Sequence, residues 1–378
     1  MTHIKRYPLA PQPEQFERAL AAGAVEERVA FGVRYQRVSR DYRNMPRGVV
    51  RIDGCVVPAY PSVGRIFALG AGVRQAFAGP FHAEEKIDGY NVRIVRAAGR
   101  LLPLTRSGMV CPFSFDRLPD LLDPDALAAM FDAEPGLILC AEIAGPGNPY
   151  MPTASTRWGE DIGFFAFDLM RCGSQSFVPE QQRTALLDRY GIPQAPRLGR
   201  FTVAELPRLA EEVLRLDREG GEGVVLKPPG EGGRVKYVTP GINLTDIVSD
   251  AALELELPGE FYTHRVVRMV MALRELGQQQ RLEEMGTALG AALVQGFAEA
   301  VAEVERGGEV SRIFVVRLRR ESSCDALLEH VGYRSRSVDI KEVSRRSIGG
   351  YYELTFRKVF RRSSDKLKTL LSGGSVFD

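Results

Sequence analysis

The stretch Glu85-Lys86-Ile87-Asp88-Gly89-Tyr90-Asn91 places a lysine two residues before an Asp-Gly pair. It joins residues 79–85, which are typical of a turn entering a strand, to residues 91–95, which alternate polar with apolar as a half-buried strand does. Asp-Gly suits a tight turn, because glycine tolerates positive φ and lets the backbone approach a ligand. Lysine is a nucleophile only after losing its proton, so a nucleophilic Lys86 needs a special site between these strands. An ordinary hairpin with a surface lysine is the alternative.

Further segments with charged or aromatic residues at strand ends follow in order over about 150 residues. Any one of them is compatible with a plain core strand, so their order carries more information than each pattern alone. They are Thr105-Arg106-Ser107-Gly108, Leu137–Ile143 with Glu142 near its end, Phe164–Leu169 with Phe167 and Asp168, Glu222–Pro228 with Lys227, and Arg234-Val235-Lys236-Tyr237.

Together these segments resemble the covalent nucleotidyltransferases, the superfamily of ATP-dependent DNA and RNA ligases and mRNA capping enzymes. Asn91 stands where DNA ligases usually place arginine, which favours the RNA ligase branch. In length and in its flanking segments the chain is similar to the archaeal-type homodimeric ATP-dependent RNA ligases that circularise RNA. The motif resemblance covers about residues 80–240, and the outer segments match by size and order.

The resemblance implies a role for each matched residue. Lys86 would take AMP from ATP, and the site would use Mg²⁺ or Mn²⁺, which suits a site with few carboxylates and no Cys/His cluster. Because phosphoryl transfer depends on positioning and charge neutralisation, lysines and carboxylates are the expected residue types. The implied roles are contact with the nucleotide by Glu85 and Asn91, ribose or phosphate binding by Arg106, ribose binding by Glu142, adenine stacking by Phe167, metal binding by Glu222, Asp168 and Glu142, and catalytic neutralisation of phosphate charge by Lys227 and Lys236, with Asp168 also catalytic.

The implied reaction has three steps. AMP is transferred from ATP to Lys86, then to a 5′-phosphate of RNA, and a 3′-hydroxyl finally displaces it, within one strand or between two. A 5′-phosphate of single-stranded DNA is not excluded as acceptor. The alternatives are a DNA ligase or capping enzyme, an enzyme that only adenylates 5′ ends, and an RNA-binding protein without catalysis. The first normally carries an OB-fold after the core, and helical periodicity over 260–305 argues against it.

The predicted fold class is α+β, with a nucleotidyltransferase catalytic domain of ATP-grasp-like antiparallel sheets. The expected divisions are a β-rich N-terminal module at 1–64, the catalytic domain at 65–240, a helical module at 241–307 and a basic C-terminal α/β domain at 308–378. In the first module the pattern predicts a helix over 14–24 and strands over 29–38 and 48–57. The helical module carries an apolar stripe, interrupted around Gly277, that suits either dimerisation or packing on the chain's own core.

Charge gives a local rather than a global signal. The 378 residues contain 50 Lys and Arg against 48 Asp and Glu, a net charge of +2, so the chain is no bulk polycation. Residues 331–378 hold eleven Lys and Arg against five acids. Such a patch could follow an RNA backbone, although a solvated tail is the alternative. Its candidate RNA-binding residues, beside Asn91 and Arg234, are Arg345, Arg346, Arg361 and Arg362. Arg234 stands where related ligases often have lysine, so a solvated strand-end arginine is the other interpretation.

The cysteines and the hydropathy of the sequence indicate the cellular compartment of the protein. The five cysteines are odd in number and lack a Cys-x-x-Cys pair, which argues against a disulfide framework and structural zinc. The chain starts with charged residues, and no run of about 18 apolar residues occurs. We expect a cytoplasmic protein with no membrane partner.

Overall fold

The computed structural model describes residues 11, 13–151, 156–230, 232–251, 253, 255, 257–333 and 338–375. Within these ranges the fold is mixed α+β, which confirms the predicted class at that level. Four sheets, each described below, are connected and flanked by helices.

The first sheet belongs to the N-terminal module. Helix α1 (Pro13–Ala21) precedes the antiparallel strands β1 (Val25–Ala30), β2 (Val33–Val38), β3 (Val50–Ile52) and β4 (Cys55–Val57), which lie in chain order. The predicted strand over 48–57 is wrong, because Asp53 and Gly54 (φ 47° and 73°) form a tight turn inside it. Phe31 and Gly32 (φ 51° and 80°) likewise interrupt the predicted strand over 29–38. Two consecutive positive φ angles give the turn whose twist matches a two-residue hairpin.

Two further sheets form the central part of the chain, called the core below. One has the order β10-β9-β7-β8 and the other β11-β6-β12-β13-β5. Their strands are β5 (Gly64–Arg65), β6 (Phe81–Lys86), β7 (Tyr90–Ala97), β8 (Arg100–Thr105), β9 (Leu137–Ala144), β10 (Gly163–Arg171), β11 (Arg197–Phe201), β12 (Gly223–Lys227) and β13 (Val235–Val238). Their helices are α2 (Leu69–Ala76), α3 (Pro112–Leu121), α4 (Pro124–Ala133), α5 (Glu180–Arg189) and α6 (Leu206–Arg218). The lysine motif therefore crosses from one sheet, at the end of β6, to the other, at the start of β7.

Three helices follow the core: α7 (Pro240–Ala251), α8 (Gly259–Glu275) and α9 (Leu282–Glu305). Gly277 (φ 67°) ends α8, as the interrupted stripe predicted. Near its C-terminal end α9 buries Ala300 and Val304 against the last part of the chain, but Val294 is 71% exposed. By length and composition, the helical segment Gln279–Glu305 is apolar enough to cross a membrane. Only 11% of its most apolar 18-residue stretch is buried inside the protein. The absence of a membrane partner therefore stays a prediction.

The last part of the chain is a three-stranded antiparallel sheet with two helices. It contains β14 (Ser311–Leu318), α10 (Glu321–Gly332), β15 (Val338–Ile348), β16 (Tyr351–Phe360) and α11 (Arg361–Leu371), in the sheet order β14-β16-β15. Buried Asp116 of α3 accepts hydrogen bonds from Ser323 Oγ (2.7 Å) and Arg320 Nε (2.9 Å). Tyr333 donates its hydroxyl to Glu26 of β1 (2.8 Å). This C-terminal domain thus contacts both the core and the N-terminal module.

One disulfide joins the N-terminal module to the core. Cys55 in β4 is bonded to Cys172, which follows β10, across 117 residues of sequence. The sequence-based argument against disulfides fails for this pair, because only the folded chain brings the two thiols together. Cys111, Cys140 and Cys324 are free and buried.

Candidate active site

Lys86 ends β6 and points at a carboxylate of the neighbouring strand segment. Its Nζ donates a hydrogen bond to Oε2 of Glu222, which directly precedes β12. Gly223, at the start of β12, is the register partner of Lys86. It has φ 147°, and a Cβ there would collide with the backbone oxygen of Tyr237, so glycine permits the close approach that places Glu222 beside Lys86.

Three carboxylates surround the lysine. Burial alone would lower the pKa of Lys86, but the charges of Glu222, Glu142 and Asp88 outweigh it and raise that pKa above its usual value. Burial, together with mutual repulsion from Glu222, raises the pKa of Glu142 to about 8 and that of Asp88 to about 7. Without nucleotide, Lys86 is therefore an ammonium ion among carboxyl groups that compete to ionise, and it must lose a proton before it can act as a nucleophile.

Basic residues face this acidic group. Lys236 of β13 has its pKa lowered to about 8, first by burial and then by the charges of Lys86, Arg65 and Arg106, against the opposing effect of Glu222. Arg106 follows β8, is exposed, and acts electrostatically on both Glu142 and Lys236. Cations that repel one another at close range are a suitable environment for the phosphates of a nucleotide.

Asn91, Glu142 and Phe165 form a row across three strands. Asn91 of β7 is the register partner of Glu142 in β9, and Glu142 is the register partner of Phe165 in β10. Residues opposite one another in neighbouring strands project to the same face, so these side chains share one surface. Sequence reasoning missed Phe165 and also Trp158, whose ring lies 4.6 Å from that of Phe165. The consecutive aromatics Phe164 and Phe165 were the available signal.

A β-bulge separates Phe167 from this row. The register shifts between Ala166 and Asp168, which leaves Phe167 without a partner in β9. A bulge of this kind re-aims a side chain. The Phe167 ring is half-buried beside Ile87, the neighbour of Lys86, and its carbonyl accepts a hydrogen bond from Lys227 Nζ (2.5 Å).

Asp168 lies in a hydrogen-bonded network of its own, and its role as a metal ligand with Glu142 and Glu222 stays a prediction. Asp168 is buried and accepts hydrogen bonds from Tyr60 (2.6 Å) and Arg234 (2.8 Å), with Lys227 at 3.5 Å. Burial alone would raise the pKa of Asp168, but the positive charges of Lys227 and Arg234 lower it below its usual value. Its carboxylate is thus engaged in a separate buried network.

Several other predicted site residues also have protein partners. Lys227 is buried and donates to Glu84 (2.6 Å), and Glu85 pairs with Arg157. The Arg234 guanidinium lies 3.3 Å from the ring centroid of Phe177 as well as pairing with Asp168, which excludes the solvated strand-end arginine. The structure thus brings Lys86, Asn91, Arg106, Glu142, Glu222 and Lys236 together around the motif, and places Glu85, Lys227, Asp168 and Arg234 in neighbouring ion-pair networks.

Several cations of the basic C-terminal region form ion pairs with nearby acids. Arg345 pairs with Asp325 and Glu342, whereas Arg346 pairs with Glu353. Arg361 pairs with Asp339, and Arg362 is exposed; two more basic residues of this region, Arg334 and Arg336, lie outside the described residues. The sequence count of eleven cations therefore overstates the charge available to a nucleic acid.

No group of three or more His, Cys, Asp or Glu side chains in the described ranges is arranged to hold a metal by itself. Mg²⁺ commonly binds one or two carboxylates and completes its shell with water and substrate phosphates. The carboxylates beside Lys86 meet that lesser requirement.

Two family models match successive parts of the chain. A sequence model of the RNA ligase family matches residues 79–238, and a model described as the ligase Pab1020 C-terminal region matches residues 251–374. A solved protein of Aquifex aeolicus, provisionally named an ATP-dependent DNA ligase, is 37% identical over 97% of this chain and 100% of its own, with a TM-score of 0.90. The chain belongs to the RNA ligase family.

Two more proteins are similar over most of their length. An archaeal ATP-dependent RNA ligase is 25% identical, with 96% of each chain covered and a TM-score of 0.86. A Methanocaldococcus jannaschii protein of uncharacterised function is 29% identical over 88% of this chain and 86% of its own. This chain is thus an ATP-dependent RNA ligase by family, which confirms the resemblance in the motifs.

Proposed function

We propose that this ligase forms a covalent AMP adduct on Lys86 and passes the AMP to the 5′-phosphate of an RNA strand, which it then joins to a 3′-hydroxyl. The position of Lys86 supports this proposal most directly. Lys86 lies in a largely buried site, between ionisable carboxyl groups and the cations Lys236 and Arg106. This arrangement offers a nucleophile together with groups that offset phosphate charge.

In the first step the Lys86 Nζ lone pair bonds to the α-phosphorus of ATP, and the bond from that phosphorus to pyrophosphate breaks. Lys86 must first give up a proton, and Glu222 is the carboxylate that its Nζ contacts. In the second step an oxygen of the RNA 5′-phosphate bonds to the AMP phosphorus while the Lys86 nitrogen leaves. In the third, the 3′-hydroxyl oxygen bonds to the phosphorus of the 5′-phosphate, the hydroxyl proton passes to solvent, and the bond from that phosphorus to AMP breaks.

Other residues of this site would position the nucleotide. Glu142 and Arg106 would hold the ribose or a phosphate, Lys236 would neutralise phosphate charge, and Phe167 would stack on adenine. Glu222 and Glu142 are the residues that would hold Mg²⁺ or Mn²⁺, which supplies further charge neutralisation when bound. Drawing Glu222 towards a cation would also weaken its hold on the Lys86 proton.

A homodimer is part of the proposal. Helix α9 exposes Val294 and Leu282, and much of its apolar surface has no covering in the described structure of one chain. Exposed apolar patches on soluble proteins are typical of contacts with another protein.

A DNA 5′-phosphate is the second candidate substrate. The Aquifex aeolicus protein, 37% identical to this chain, is named for ligation of DNA. Parallel reactions with 5′-phosphorylated RNA and DNA of the same sequence would separate the two, because a preference should appear as a difference in the rate of AMP transfer.

The test of the proposal is adduct formation with α-labelled ATP and, separately, α-labelled GTP. Label from ATP should survive denaturation, disappear in Lys86→Ala and persist in Lys341→Ala, which removes an exposed lysine paired with Glu309. Chase of the label onto 5′-phosphorylated RNA, followed by a sealed product, would support the whole reaction. An adduct at normal yield in Lys86→Ala would refute the assignment of the nucleophile, and transfer without sealing would indicate an enzyme that only adenylates 5′ ends.

A further inference from the structure

A large cleft opens directly from the candidate active site towards the C-terminal domain. Its volume is about 690 Å³, and Asn91 and Glu142 form its inner end. Arg47 of the N-terminal module and Tyr333 and Lys358 of the C-terminal domain line its outer part. We call this space the interdomain cleft. Its walls thus come from three parts of the chain that are distant in sequence.

The interdomain cleft is basic. Arg37, Arg47, Arg106 and Lys358 line it, and Glu142 is the acid among the described lining residues. Arg47 and Arg106 are exposed, and neither forms an ion pair with any residue that the structure describes. Free guanidinium groups along a groove are what a phosphate backbone requires.

Aromatic rings accompany these cations. Tyr150 and His330 line the cleft with ring centroids 6.0 Å apart, and the half-buried Tyr333 is fixed by its hydrogen bond to Glu26. Burial and the nearby charges of Arg28 and Arg37 lower the pKa of His330 to about 4. The ring is therefore neutral at physiological pH and offers a face for stacking rather than a charge for phosphate.

Asn91 adds an unused acceptor at the inner end. Its Oδ1 is buried and has no hydrogen-bond partner among the described residues. A buried acceptor without a partner is costly, so a donor from a bound molecule would be favourable there. Sugar hydroxyl groups are donors of this kind.

Cations, aromatic faces and an open sugar acceptor together match the recognition of single-stranded nucleic acid. We propose that the interdomain cleft binds the 5′-terminal nucleotides of the RNA strand that receives AMP. The 5′ strand fits because the cleft begins at Asn91 and Glu142, beside the lysine from which AMP would be transferred. This inference rests on the proposed function, and it gives the C-terminal domain a role in holding substrate.

Two substitutions at the outer part of the cleft test the inference. Arg47→Ala removes an exposed arginine and Lys358→Ala a half-buried lysine, each paired with a control outside the cleft: exposed Arg34→Ala in the same N-terminal sheet and exposed Arg362→Ala in α11. Each protein is first loaded with labelled AMP, then freed of ATP, and the chase onto a 5′-phosphorylated single-stranded RNA is followed over a series of salt concentrations.

We expect adduct formation to be unchanged in all four variants, because none of the four side chains belongs to the nucleotide site. The chase at low RNA concentration should slow in both cleft variants. The slope of log affinity for the RNA against log salt should fall by about 0.7 for each lost phosphate contact. The controls should match the unchanged protein.

The outcomes separate the two proposals. A normal adduct with a normal chase in both cleft variants would overturn the inference and leave the proposed function standing, whereas no adduct in the unchanged protein would overturn the proposed function itself. Slowing in Arg362→Ala but not in Lys358→Ala would place the RNA on the tail instead. If only the sealing of pre-adenylated RNA to a 3′-hydroxyl strand slows, the 5′ assignment is wrong. Should Lys358→Ala lose the adduct through misfolding, exposed Arg47→Ala decides.

Discussion

Replacing Glu222 by glutamine should lower the pKa of Lys86. The substitution keeps the shape of the side chain but removes the negative charge that contacts the Lys86 ammonium group. Burial then disfavours the ammonium form with less opposition, and the nearby charge of Lys236 adds to the effect. The nucleotide-free variant should therefore hold more of its Lys86 as the neutral amine at a given pH.

The size of the change follows from the charges around the lysine. Unit charges about 4 Å apart at an effective dielectric constant of about 20 interact by about 4 kcal/mol, equivalent to roughly three pKa units. Part of this is recovered, because Glu142 and Asp88 have their pKa values raised by Glu222 and will ionise more readily once that charge is gone. We therefore expect a net fall in the pKa of Lys86 that is smaller than this single pair interaction.

The assay is competitive acetylation of the nucleotide-free protein with trace acetic anhydride at a series of pH values, with the Lys86 peptide quantified by mass spectrometry. This readout does not depend on metal or on ligase activity, both of which the substitution should also change. Glu219→Gln is the matched control, because Glu219 pairs with Arg157 and Arg215 rather than with Lys86. A Lys86 pKa that is unchanged or higher in Glu222→Gln would refute the reasoning.

Three further expectations concern stability, nucleotide binding and assembly. Burial raises the pKa of Glu142 from 4.5 to about 8, so the folded state holds that proton more tightly than the unfolded state; this stabilisation is present at low pH and is lost as the pH rises through 8. The melting temperature should thus fall less steeply between about pH 5 and pH 8.5 in Glu142→Gln than in the unchanged protein. The Glu142 proton contributes no more than about 5 kcal/mol to the free energy of unfolding, and identical slopes of melting temperature against pH in the two proteins would contradict the expectation. Phe167→Ala should weaken ATP use by about 1 to 3 kcal/mol in the KM of adduct formation; a larger effect of Phe165→Ala would move the adenine platform to that residue. Val294→Asp places a charge on the exposed face of α9 and should lower the sedimenting mass to that of one chain, whereas a monomer before substitution would reject the dimer.

Local patterns predicted most of the core strands. The alternation after Asn91 gave β7, the apolar run ending near Glu142 gave β9, and the run through Phe167 gave β10. The same patterns missed the hairpin turn at Asp53 and Gly54, because the apolar residues continue through it. Periodicity records which residues are buried and does not record where the chain reverses.

The sequence alone determined which residue types were available for chemistry: the lysine before Asp-Gly, the carboxylates and the later basic pair, all in the family's order. Only the tertiary structure decided which of them meet. It placed Glu222 against Lys86 across two strands. Asp168 instead follows a bulge at Phe167 and lies in a buried network with Lys227 and Arg234. The physical reason is that electrostatic energy and hydrogen bonding depend on distance and burial, which a chain acquires only when its strands pair.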